Sequence, residues 1–330
     1  MTFGTDCPPS SARAATSGVA NDETTSLERP KIKGDHAGGH RSFDLTKFLE
    51  LPGSGEIDIE GLDVVGETLW LLGSHSAVRK RVKGKHSPNQ ARKALATIDA
   101  SQRRQVLARL STRTLAEAGG SGISGQQIAS VFGPGEGTSG GLVDLLAEDP
   151  HFEGFIRTKV IPGKDNGFDC EGLAVADERV FIGLRGPVLR GRAVIIELEV
   201  GNGPSIEPQP TGPGGRRYRK HFLDLRGLGV RDLCRHQNDL LVLAGPTMEV
   251  DGRTTVFRWR DALMSDGEAV LHRGDLKCEL NIPFGNGKDR AEGITLLEDG
   301  RSVLVVYDTP AGKRKTGDHG IRADVFDLSA

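Results

Sequence analysis

The chain has 330 residues, enough for one large domain or two smaller ones, and 36% of them are hydrophobic. Lys plus Arg number 43 against 45 Asp plus Glu, and the net charge of −2 gives no electrostatic ground for a nucleic-acid or membrane partner. The 45 glycines and only 5% aromatics suit an all-β fold with many tight turns.

In chain order, the opening MTFGTDCPPSSARAATSG lacks the basic start and apolar stretch of a signal peptide. No apolar run is long enough to span a bilayer, so the expected location is cytoplasmic. Residues 1–18 are expected to be disordered. The first strong signal is IDIEGLDVVGETLWLLGSHS (57–76), which reads as a strand, a short polar turn and a second strand. Three further segments repeat it: FDCEGLAVADERVFIGLRGP (168–187), GVRDLCRHQNDLLVLAGPT (229–247) and RAEGITLLEDGRSVLVVYDT (290–309). The second strands, among them LWLLG and LLVLAG, are nearly continuous apolar runs, as strands buried on both faces are. Additional strands are expected at 192–200, 220–225, 254–259 and 270–276.

The stretch from about 85 to 155 departs from this pattern. Val106, Leu107, Leu110, Leu115 and Ala118 lie near helical spacing, which predicts a helix over 101–118, and LVDLLAED predicts another over 142–149. The Gly-rich stretch 133–141 is expected to be mobile, and its glycines lack the ending of a phosphate-binding loop. Together these predict a helical and Gly-rich insertion over 86–155. Cys7, Cys170, Cys234 and Cys278 form no CxxC pair, and Cys170 and Cys234 lie in apolar runs that suit buried free thiols.

A repeated E-G start, with Arg231 at the matching place in the third segment, fits radial repetition of four-stranded sheets, a β-propeller, better than a two-sheet sandwich. The motifs ANDETTSLER (20–29), DIEGLDVVGETLWLLGSHS, FDCEGLAVADERVFIGLRGPV, FLDLRGLGVRDL with LLVLAGPT, and AEGITLLEDG together resemble a bacterial domain-of-unknown-function family, number 3616. That family is similar to phytase-like and lactonase-like propellers, so the resemblance implies a propeller over 19–330, but no activity. A full hairpin normally precedes the ANDE segment in the family. Here Ser17-Gly18-Val19 runs straight into Ala20, which predicts a truncated first blade in a propeller of about five, or six, blades.

In such a fold Glu60, Glu171, Arg231 and Glu292 start the innermost strands and should ring one mouth of the channel. Asn21-Asp22-Glu23 would hold that place in the first blade. The loops Ser74-His75-Ser76, Arg185-Gly186-Pro187, Gly245-Pro246-Thr247 and Asp308-Thr309 should surround them. Converging carboxylates need a cation or a proton, so calcium on Glu60, Glu171 and Glu292 is one expectation. A network locked by Arg231 is the other. Arg185 and Asp308 join the binding set, and His75 is the acid–base candidate. Asp58 and Asp169 are read as strand-entry turns. The basic clusters 79–83, 216–220 and 313–315 are read as solvated loop charge. The functional expectation is a module that holds a small molecule or peptide at the channel face. The alternative is a calcium-dependent hydrolase of an ester, lactone or phosphoester.

Overall fold

The computed structural model describes residues 2–5, 17–20, 25–33, 36–53, 55–118, 129–133, 140–157, 160–285, 287–316 and 320–328. It is an all-β propeller. The inner strands Thr2–Thr5, Ile59–Val65, Asp169–Ala176, Gly229–His236 and Arg290–Leu296 pack side by side, and Thr2–Thr5 lies between Ile59–Val65 and Arg290–Leu296, which closes the ring. Each inner strand is followed outward by antiparallel partners.

Four of these sheets have four or more strands, and the sheet that starts at Arg290 has three, ending on Asp324–Asp327. Four sheets thus reach the expected blade size among the described residues, rather than five or six. The truncated first blade is corrected outright. Thr2–Thr5 pairs with Ser17–Ala20, in register Thr2 to Ala20 and Thr5 to Ser17, and the sheet continues through Ser26–Lys33 and His36–Asp44. The inner strand had been sought immediately before the ANDE segment, whereas it stands at the start of the chain. Thr2–Thr5 and the start of Ser17–Ala20 therefore fall inside the stretch 1–18, where the sequence predicts disorder.

The helix expected over 101–118 is also corrected. Leu107–Ser111 is the third strand of the second sheet, paired with Thr68–Gly73 and with Ala129–Phe132, and only Thr112–Ala118 is α-helical. Val106, Ala108 and Leu110 face one core cluster while Leu107 faces the neighbouring one. Burial on both faces places apolar residues at spacings that imitate a helix. Among the described residues the α-helices that begin within 86–155 are Pro88–Ala96, Thr112–Ala118, Leu142–Leu146 and Glu153–Ile156. Residues 134–139 of the Gly-rich stretch lie outside the described residues.

The core is a set of slabs between neighbouring sheets. One slab joins Trp70 and Leu72 to Leu173, Val175 and Ile182, and another joins Ala174 and Phe181 to Val230, Leu240 and Val242. The E-G repeat follows from this packing. A Cβ on Gly61 would stand 2.6 Å from Leu173 Cβ, and one on Gly172 would stand 2.9 Å from Leu233 Cγ. Only glycine permits such an approach between inner strands. Cys170 is buried and Cys234 half-buried, and both are free thiols.

Two aspartates clamp the inner strands. Asp63 accepts from the Val175 amide at 2.7 Å and the Val64 amide at 2.8 Å, and Arg235 reaches its two oxygens at 3.2 and 3.1 Å. Asp232 accepts from Ile294 N and Leu233 N, both at 2.8 Å. The basic stretch 216–220 is likewise structural. Lys220 is buried and donates to Asp149 Oδ2 at 2.6 Å, Tyr218 donates to the same oxygen at 2.7 Å, and so the segment carrying Leu142, Leu146 and Phe152 is docked on the third sheet.

Candidate functional site

The backbone explains why four side chains converge. Strand pairing skips one residue in each of four inner strands: between Ile59 and Gly61, Cys170 and Gly172, Val230 and Asp232, and Ala291 and Gly293. The skipped residues are Glu60, Glu171, Arg231 and Glu292. A β-bulge leaves one residue out of the ladder and re-aims its side chain. The four residues expected at the channel mouth are thus the four bulge residues.

Arg231 joins them across three sheets. Its Nε stands 2.9 Å from Glu171 Oε2, and its Nη2 donates to Glu292 Oε1. Arg185 completes the network. Its Nη1 donates to Glu171 Oε1 at 2.7 Å and lies 3.6 Å from Asp169 Oδ2, while its Nε donates to the Thr247 carbonyl at 2.9 Å. Glu171 is 3% exposed with both oxygens on arginines. Glu60 has no hydrogen bond or ion pair among the described residues. Burial holds its carboxyl well above the usual range, and Glu171, Asp58, Glu292 and Asp169 add to the rise. Burial also raises Glu292.

Asp169 is more than a strand-entry turn. It is 3% exposed, and burial, opposed by Arg185 and reinforced by Glu171 and Asp58, pushes its carboxyl up to about 8. Asp58 takes the Ser74 hydroxyl at 2.5 Å and lies 4.0 Å from Arg104 Nε. Asp308 ends its strand with its oxygens turned back to its own turn, to Thr309 N at 2.6 Å and Thr309 Oγ1 at 2.9 Å. Asn21-Asp22-Glu23 lies outside the described residues.

His75 is 4% exposed and sits at φ 56°. Its Nδ1 faces the Gly73 carbonyl at 2.7 Å, so Nδ1 carries the proton and donates, and Nε2 is a buried acceptor with no partner. Burial, against the opposing Gly73 contact, pushes its pKa down to about 4. At neutral pH the ring is therefore uncharged, with Nε2 available to accept a hydrogen bond. Left-handed backbone recurs at this mouth outside glycine, at Asp58, His75, Asn166, Asp289 and Thr309. Such strain gathers where a site holds the chain in place.

Calcium on Glu60, Glu171 and Glu292 does not match this geometry. Arg185 and Arg231 occupy both oxygens of Glu171 and one of Glu292, and among the described residues no group of three or more His, Cys, Asp or Glu side chains is placed to hold a metal.

Beside the ring lies a pocket that the sequence motifs did not reveal. Arg185, Arg231 and Glu292 line it together with Met248, Glu249, Asp251, Phe284, Arg290 and Lys164. Met248, Val250 and Phe284 are each about half exposed, at 50%, 51% and 50%. The two walls are tied where Gly287 N donates to Asp251 Oδ2 at 2.7 Å. An appendage of the second sheet, with paired strands Val78–Arg79 and Ile98–Asp99 and the helix Pro88–Ala96, extends toward it, and Arg81 Nη2 comes within 3.6 Å of Glu249. Of its lining, Arg185, Arg231, Glu292, Asp308 and the loop at Gly245-Pro246 are residues that the sequence places at the mouth, whereas Met248, Glu249, Asp251, Phe284, Arg290 and Lys164 carry no motif.

No helix is long and apolar enough to cross a membrane among the described residues. No curated protein matches the chain. Among solved structures it is similar to Myxococcus xanthus glutaminyl cyclase, at 10% identity and TM-score 0.40 over 100% of this chain and 91% of that one. It is also similar to Kuenenia stuttgartiensis hydrazine synthase, at 9% identity and TM-score 0.37 over 98% of this chain and 61% of that one. The model of the family described as "Protein of unknown function (DUF3616)" matches residues 12–324, and the chain belongs to that family.

Proposed function

We propose that the protein is a ligand-binding module that uses this mouth of the channel, with the three-stranded sheet counted as a fifth blade. The observation that carries the reading is the bulge-aimed network Glu171–Arg185–Arg231–Glu292, spread over three sheets beside a pocket with an exposed apolar wall. Ion pairs formed between side chains on separate sheets are poor contributors to stability for their desolvation cost, and they are well suited to recognising a polar ligand. The ligand expected is a small molecule or a peptide end.

The test is a ligand screen by thermal shift on the full chain, repeated with Glu60→Gln and Met248→Glu. Ligands of this mouth should lose at least tenfold in affinity with one variant or the other. Ligands that bind both variants as they bind the wild type would place recognition elsewhere and remove the reading.

A second reading is acid–base chemistry at the same mouth. Asp169, with its carboxyl pushed up to about 8, exchanges its proton near neutrality, as a catalytic acid must. It predicts turnover of an ester or lactone that Asp169→Asn abolishes while ligand affinity stays within about threefold.

A further inference from the structure

Arg290 starts the inner strand of the three-stranded sheet and lines the pocket. A guanidinium carries five N–H donors in a planar fork. None of the five makes a hydrogen bond among the described residues. Its nearest carboxylates are Glu249 at 3.9 Å from Nη1 and Asp251 at 3.7 Å from Nη2, beyond hydrogen-bond length, and its Nε is buried with no acceptor. Lys164 lines the same pocket, exposed and without a partner among the described residues.

The carboxylates of the pocket are differently placed. Asp251 accepts from Gly287, Asp308 from Thr309, and Glu292 is held by Arg231. Glu249, 3.6 Å from Arg81 and 3.9 Å from Arg290, makes no hydrogen bond among the described residues, and the unused donors of the pocket are those of Arg290 and Lys164, both suited to an anion. The apolar side has no protein cover either, since Phe284, Met248 and Val250 are half exposed in a chain whose other aromatic side chains are largely buried.

We propose that this pocket takes an organic carboxylate with an apolar body, its carboxylate forked on Arg290 with Lys164 beside it and its body against Met248, Val250 and Phe284. The proposal rests on the binding-module reading and names its ligand class. A carboxylate accepts two parallel N–H bonds from one guanidinium, a geometry that neither an ammonium ligand nor a neutral amide can supply. Two sources share this chemistry: the free C-terminus of a peptide ending in an apolar residue, and a small aryl or alkyl acid.

The experiment is calorimetric titration of the full chain with 3-phenylpropanoate, with a short peptide ending in Phe, with the same peptide amidated, with 2-phenylethylamine and with inorganic phosphate. The two free acids should bind, the amidated peptide and the amine should not, and Arg290→Gln and Arg290→Lys should each weaken the acids at least tenfold. Phe284→Ala, a change at a half-exposed position, should weaken them several-fold while the fold is kept. Tighter binding of the peptide assigns a chain terminus, and tighter binding of 3-phenylpropanoate assigns a small acid. Acids that fail to bind, or that bind the Arg290 variants unchanged, would overturn the proposal. So would preferential binding of phosphate. Binding of the amine, lost in Glu60→Gln and kept in Arg290→Gln, would overturn the ligand class and leave the binding-module reading standing.

Discussion

The inner strands bury acids in two ways. Asp63 and Asp232 are satisfied first by backbone amides of their own and the next strand. Glu171 and Glu292 are satisfied by the side chains of Arg185 and Arg231. Backbone donors are fixed by the sheets, so the aspartates hold the ring together whatever occupies the channel. Side-chain donors can rotate, so the glutamate network can be reorganised around a ligand. The comparison separates framework from site, and Gly229–His236 carries one of each, Asp232 beside Arg231.

The largest effect should come from breaking the site at its hub. Arg231→Met leaves Glu292 without its counter-charge and Glu171 on Arg185 alone, and chemical denaturation should show a loss of about 3 kcal/mol. The loss should shrink at acid pH, where the carboxyls take up protons. Asp232→Ala attacks the framework instead. Two buried amides lose their acceptor, and the expected loss is about 2 kcal/mol. If Arg231→Met proves the milder of the two at neutral pH, the ring contributes little and the division of roles fails.

Two smaller effects sharpen the comparison through pH. Asp169 in the fold keeps its proton to about 8, against an ordinary value of 3.8. The folded form therefore binds more protons than the unfolded chain between about 4 and about 8, and this group's contribution to stability is lost as pH rises through that window. Asp169→Asn keeps the neutral shape, so its melting temperature relative to wild type should climb from pH 5 to pH 9. His75 runs the other way. It resists its proton down to about 4 against an ordinary 6.5, so stability falls as pH drops between those values. His75→Asn, which tolerates the left-handed backbone, should flatten that acid limb and change little at pH 8.

The fold was legible because its grammar is local. A strand, a polar turn and a second apolar strand recur four times, each E-G start marks a bulge, and at Gly61 and Gly172 the bulge is followed by a close contact between sheets. The ring residues were legible for the same reason. What escaped was non-local. Leu107–Ser111 hides its period of two because both faces are buried, and Thr2–Thr5 pairs with a strand more than ten residues away. The arginine capture of Glu171 depends on Arg185 reaching back 14 residues across a hairpin. The pocket around Arg290 is built by two loops with no motif in common.

A residue that the ladder skips carries no duty to the sheet. Within this one chain the same bulge takes Glu at 60, 171 and 292 and Arg at 231, with the flanking strands unchanged in plan. The inner strands therefore offer interchangeable sockets, in which the sign and reach of a side chain can be exchanged while the wheel that carries it stays the same. Charge at this mouth is a setting that can be redialled one spoke at a time, and a designer who wished to retarget the protein would begin with these four positions and leave the two aspartate clamps alone.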